Sequence, residues 1–166
     1  MIWLSKMVSG GQTGADRAAL DWAIARGIPH QGWCPAGRRS EDGPLDRRYL
    51  LRETPGEGYL ERTRWNVRDS DGTVIFTLGP DLAGGSLATW NHARALEKPV
   101  THISRALSGN PAADLDRFLE TYGIQVLNVA GPRASGEPGV GAFVHDVLDA
   151  LVVAHESACV PPRSTK

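Results

Sequence analysis

The residues best placed to do chemistry stand near the amino terminus, in the run Met7-Val8-Ser9-Gly10-Gly11-Gln12-Thr13-Gly14-Ala15-Asp16-Arg17. Three glycines, two hydroxyls, a side-chain amide and an acid lie between a short apolar stretch (residues 2–8) and a helix-patterned one. Ala15, Ala18, Ala19, Trp22 and Ala23 recur at i, i+3, i+4, i+7 and i+8, which predicts one apolar helical stripe. Thr13 followed by Asp16 reads as a capping box, and the acid suits the positive end of the helix dipole. A strand, a glycine-rich turn and a helix start gather unsatisfied N–H groups, so Gly10, Gly11, Gln12, Thr13 and Gly14 are expected to hold a phosphate or carboxylate. The run is not the dinucleotide fingerprint, because Gln12 and Ala15 stand where glycines would be needed. Nor is it a Walker loop, since no Lys-Ser/Thr pair follows Gly14. The plainer alternative is a tight turn that needs glycine for its geometry alone.

Composition narrows the remaining classes. A chain of 166 residues predicts one domain, able to bury about two-thirds of the surface of its unfolded form. A formal charge of −1 offers no basic surface for nucleic acid or membrane. With only three lysines (Lys6, Lys98, Lys166), arginine carries nearly all the positive charge, and its planar fork suits phosphates and carboxylates. Cys34 and Cys159 are far apart without metal spacing, and the five histidines are scattered, so no structural metal is expected. Without a signal-peptide pattern or an apolar run of spanning length, a reduced, cytoplasmic setting is expected.

The elements that must position such residues alternate. Strands are predicted at residues 2–8, 28–33, 73–78, 99–103 and 125–129, with helices after the first glycine turn and at 59–70. Further helices follow Ser86, which can cap one, and Asn110-Pro111, a cap followed by proline at the first helical position. The last helix is marked by Val140, Phe143, Val144, Val147, Leu148, Leu151 and Val152. Residues 34–58 carry no sustained period, and a loop of that length inside a compact domain is usually functional or disordered. The domain is expected to span residues 1–156, with 157–166 as a flexible tail. The alternation predicts an α/β, doubly wound, Rossmann-like parallel sheet with helices on both faces. Its glycine-rich loops (10–14, 79–85, 130–139) and the 34–58 segment would gather at the carboxyl ends of the strands, where such sheets bind ligands.

Several longer runs carry a family resemblance. Ser9–Asp21 (SGGQTGADRAALD), Gly32–Gly43 (GWCPAGRRSEDG), Tyr49–Pro55, Tyr59–Thr73, Leu82–Thr89 and Leu127–Ser135 together resemble the molybdenum-cofactor carrier family. That family sits in the YpsA-like branch of the Rossmann-like SLOG superfamily. The resemblance covers roughly residues 7 to 152. It implies a doubly wound fold, a homo-oligomer (dimer or tetramer), and a rim site for a molybdopterin-type or nucleotide-type anionic ligand.

On that resemblance, the backbone of Gly10, Gly11 and Thr13 would take a phosphate or oxo-anion, and Gly84, Gly85 and Ser86 the opposite anionic end. Arg38, Arg39 and Arg133 would be bidentate clamps. Glu41 and Asp42 would accept from a pterin or purine N–H edge, and Tyr59, Arg62, Thr63 and Asn66 form one polar helical face. Asp16 is either a cap partner or a ligand-binding acid. Plainer readings stand beside these: paired surface charges, a solvated helix face, turn glycines, and a buried apolar Cys34.

Superfamily relatives that hydrolyse nucleoside monophosphates carry P-G-G-x-G-T-x-x-E, whereas this chain has Ala83-Gly84-Gly85-Ser86-Leu87-Ala88-Thr89-Trp90-Asn91. Asn91 cannot supply the carboxylate, although Glu41, Asp42 or Asp69 could substitute for it. The expectation is therefore a non-enzymatic carrier of molybdenum cofactor, delivering to a molybdoenzyme recipient. A phosphoribohydrolase-like enzyme and a nucleotide sensor are the alternatives.

Overall fold

The computed structural model describes residues 4–158. Its first half contains β1 (Lys6–Val8), α1 (Ala15–Ala25), β2 (His30–Cys34), a 3-10 turn (Ala36–Arg38), β3 (Leu51–Glu53) and α2 (Tyr59–Arg68). Its second half contains β4 (Gly72–Thr77), α3 (Gly84–Ala95), β5 (Val100–Ser104), α4 (Pro111–Tyr122), β6 (Val126–Ala130) and α5 (Val140–Ala158). From residue 159 on, the expected tail lies outside the described residues.

All six strands are parallel, in the order β3-β2-β1-β6-β4-β5. The first three run outward from the centre on one side, β4 and β5 run outward on the other, and β6 fills the gap between the two halves. Strand order thus reverses around β6, and the loops leaving β1, β6 and β4 open beside one another. Helices α1, α4 and α5 pack in a row on one face, and α2 and α3 on the other. The doubly wound, two-faced sheet expected from the alternation is what the chain forms.

The main core lies under α1, α4 and α5. Met7, Phe76, Leu127 and Val129 of the sheet meet Trp22, Leu115, Val144 and Leu148 of the helices. Each Å² of apolar surface this layer removes from water contributes about 25 cal/mol to folding. A smaller cluster (Leu20, Cys34, Leu45, Tyr49, Leu51) tethers the long loop, and Cys34 is fully buried in it as a small hydrophobe.

Three local expectations are corrected. The 34–58 segment is not structureless: it contributes β3, which pairs Gly32↔Leu51 and Cys34↔Glu53 with β2 and gives the sheet a sixth strand. Thr13 and Asp16 form no capping box, because the cap of α1 is Gly14 (φ +82°), with no side-chain cap bond. A side chain there would drive Cβ to 2.4 Å from the Pro132 carbonyl. Ser86 is likewise not the cap of α3: the helix begins two residues earlier, behind Ala83. Asn110 does cap α4, its side chain accepting from the Ala113 amide at 3.1 Å.

Candidate functional site

A cleft of about 610 Å³ opens at the reversal point, within the range of small-molecule sites. The β1–α1 turn supplies Gly10, Gln12 and Asp16, and α2 supplies Tyr59, Arg62, Thr63 and Asn66. The start of α3 adds Gly84, Gly85 and Ser86, and the β6–α5 loop adds Arg133. These predicted residues therefore meet in one cavity. Gly11, Thr13, Gly14, Arg38, Arg39, Glu41 and Asp42 do not line it.

The first glycine turn already holds an anion, and it is the protein's own. Asp16 accepts from Arg62 Nη1 at 2.7 Å, its side chain is 4% exposed, and the Gln12 and Gly10 amides face its carboxylate. Burial pushes its carboxyl above the usual range, against the opposing pull of Arg62 and the two amides. The Thr13 amide is taken by Gln12 Oε1 at 3.0 Å, and the Thr13 hydroxyl joins Glu41 and the Ala134 amide. Gly11 (φ +76°) faces Leu45 and Leu51 rather than the cleft. An incoming anion would compete with Asp16 here, and the turn forms one wall of the cleft.

The expected arginine clamps and acids have other partners. Arg38 donates to the carbonyls of Leu45, Asp46, Tyr49 and Leu51 at 2.8–3.1 Å, folding the 45–51 loop around itself. Arg39 pairs with Glu57 on the surface at 2.8 Å. Glu41 is held by the Ser135 and Thr13 hydroxyls and the Ser135 amide, which lower its pKa. Asp42 pairs with Arg17 and Ser40, which bring its pKa down to about 2. Together they strap the 38–57 loop to the rim. Asn66 pins β2, exchanging two bonds with the Trp33 backbone at 2.7 and 3.0 Å, and Thr63 bonds the Tyr59 carbonyl of its own helix.

The second glycine turn is open. No side chain caps α3, and among the described residues the Gly84 and Gly85 amides have no protein acceptor, whereas the Ser86 amide bonds Ala83 at 3.1 Å. Unsatisfied amides at a helix start and the helix dipole both favour an anion. In the same cleft the Arg62 and Arg133 guanidiniums stand 5.7 and 5.5 Å from the centroid of the Tyr59 ring. Among the described residues the one ion pair of Arg133 is loose, 3.9 Å from Glu41.

Sequence reading missed part of the wall: Thr77, Asp81, Thr89, Asn128 and Glu137. Asp81 and Glu137 sit in the glycine-rich loops at 79–85 and 130–139, whose place on the rim is the signal that could have found them. Glu137 Oε2 accepts from the Leu78 amide at 2.6 Å. Among the described residues no three His, Cys, Asp or Glu side chains converge as a metal site, and no helix is long and apolar enough to cross a membrane.

A parallel doubly wound sheet with a helix start facing a cleft at its reversal point defines a Rossmann-like domain with the architecture of a small-molecule site. The chain belongs to the circularly permutated YpsA SLOG family, whose model matches residues 7–152. Its fold matches the crystal structure of a Syntrophus aciditrophicus SB protein named as a candidate molybdenum carrier. The two share 43% identity over 90% of this chain and 95% of that one, with a TM-score of 0.88. No curated protein matches the chain.

Proposed function

We propose that this protein binds a molybdenum cofactor of the molybdopterin type, shields it, and hands it on to a recipient molybdoenzyme. The observation that carries the reading is the uncapped start of α3, where the Gly84 and Gly85 amides open on the cleft that also holds Tyr59, Arg62 and Arg133. A phosphate or oxo-anion fits those amides, and a flat heterocycle fits against the Tyr59 ring beside Arg133. The similarity to a protein named for molybdenum carriage supports the choice of cargo. Storage requires pre-placed donors and a sheltered cleft, without a matched acid and base.

The hydrolase alternative has lost the acids first suggested for it. Asn91 is exposed and does not line the cleft. Glu41, Asp42 and Asp69 lie outside the cleft in bonds of their own. Native mass spectrometry with metal analysis, on protein from a molybdenum-replete host, tests the proposal. Stoichiometric pterin or molybdenum supports it, and the same spectra read whether the carrier is a dimer or tetramer. Release of free base from nucleoside monophosphates, with no bound pterin or metal, would replace it with the enzyme reading.

A further inference from the structure

The same cleft has needs that its own side chains do not meet. Asp81 has no hydrogen-bond donor among the described residues, and Glu137 uses only Oε2, on the Leu78 amide. Neither carboxylate is in an ion pair among the described residues. The ring of His102 is electrostatically coupled to both, but burial lowers its pKa, so near neutral pH it brings no charge. Independently, Gln12 is 5% exposed in the cleft wall and its Nε2 has no acceptor. Its Oε1 accepts from the Thr13 and Glu41 amides at 3.0 and 2.9 Å, which sets the orientation of the amide group. A buried polar group left unpaired is costly, so Gln12 Nε2 points to a ligand, and the exposed Asp81 and half-buried Glu137 leave carboxylate oxygens open to the same ligand.

We infer that Asp81 and Glu137 form a second subsite, which accepts the paired N–H groups of a 2-amino-4-oxopyrimidine edge on a ligand whose anion lies on the α3 amides. That edge, common to pterins and guanine, presents two donors beside a carbonyl oxygen. The carboxylates take the donors, and the Gln12 Nε2 is a donor of the kind the carbonyl requires. A divalent cation is the other chemistry two acids could serve, but the described residues provide no third ligand. The inference rests on the carrier reading for one point, the anion seat on α3.

Calorimetric titration of the full chain separates the two. The probes are GMP, IMP (which lacks the 2-amino group), 6-hydroxymethylpterin phosphate and ribose 5-phosphate (which lacks the base). GMP or the pterin phosphate is expected to bind at least about tenfold more tightly than IMP, the size of one lost charge-assisted bond. In Asp81→Asn/Glu137→Gln that ratio should fall below about twofold, with ribose 5-phosphate binding retained. Glutamine keeps a carbonyl for the Leu78 amide; if the pair does not melt cooperatively, Asp81→Asn alone should still cut the ratio by at least threefold. Equal binding of the bases with ribose 5-phosphate bound overturns the subsite and spares the carrier reading. A ratio that survives the substitutions overturns the subsite too. Discrimination without ribose 5-phosphate binding supports the subsite and overturns the α3 seat, and no binding of any probe counts against both.

Discussion

Asp16 and Arg62 meet at 2.7 Å, with side chains 4% and 15% exposed, and the guanidinium lies directly over Gly10. A Cβ at position 10 would sit 1.5 Å from Arg62 Nη1, so only glycine lets the ion pair form as it stands. Gly10→Ala should push the guanidinium off Asp16 and cost about 1–3 kcal/mol, less than the 3–5 kcal/mol typical of removing one partner outright, as in Arg62→Met. Urea unfolding measures both. A Gly10→Ala midpoint equal to that of the native protein would show that Arg62 relocates freely.

Arg38 organises the loop and does not line the cleft. Its four backbone acceptors span residues 45–51, and it holds φ +53°, an uncommon angle for a residue with a side chain. Arg38→Ala is expected to cost about 2–4 kcal/mol, because several charge-assisted bonds go together. Limited proteolysis should then cut within residues 39–50, while the affinity for ribose 5-phosphate stays within about twofold. A large loss of affinity without new cleavage would contradict this.

The Asp42 carboxyl is held down at about 2 by Arg17 and Ser40. A folded pKa below the unfolded value means the stabilisation is present above about pH 4 and is lost as pH falls toward 2. Its side chain is 52% exposed, so solvent screening limits the effect to about 1 kcal/mol or less. Asp42→Asn should lower stability by that amount at pH 7 and flatten the decline between pH 4 and 2. An unchanged acid limb would show that Arg17 contributes nothing there.

Legibility followed the range of the forces involved. Asn110-Pro111 and the stripe from Val140 to Val152 are local signals, and α4 and α5 form where they point. The three residues of β3 are a strand only because β2 lies beside them and Arg38 folds the preceding loop, which no local pattern records. In the first glycine turn the residue types were readable, but not that the Asp16 carboxylate would turn back onto the amides of Gly10 and Gln12. Arg38, Glu41 and Asp42 looked like ligand contacts because side-chain chemistry is visible in sequence, whereas their protein partners, up to 94 residues away, are not. Asp81 and Glu137 are 56 residues apart in the chain and share a cleft through topology alone.

The two glycine turns make opposite demands on a new carboxylate. In the first, the Asp16 carboxylate already faces the amides of Gly10 and Gln12. In the second, the amides of Gly84 and Gly85 are open, and a Cβ at Gly85 would meet no heavy atom within 4 Å. Gly85→Asp should therefore place an acid in the first turn of α3, where the dipole favours it by about 0.3–1 kcal/mol. Removing a helical glycine adds to that gain. The variant is expected to melt at or above the native temperature and to lose at least tenfold in affinity for ribose 5-phosphate, since an internal anion fills the seat and repels the external one. Gly85→Ala serves as the comparison, with a similar gain in stability and a smaller loss of binding. Stability and binding moving in opposite directions would separate an anion seat from a structural turn, for which undiminished binding by Gly85→Asp is the expected result.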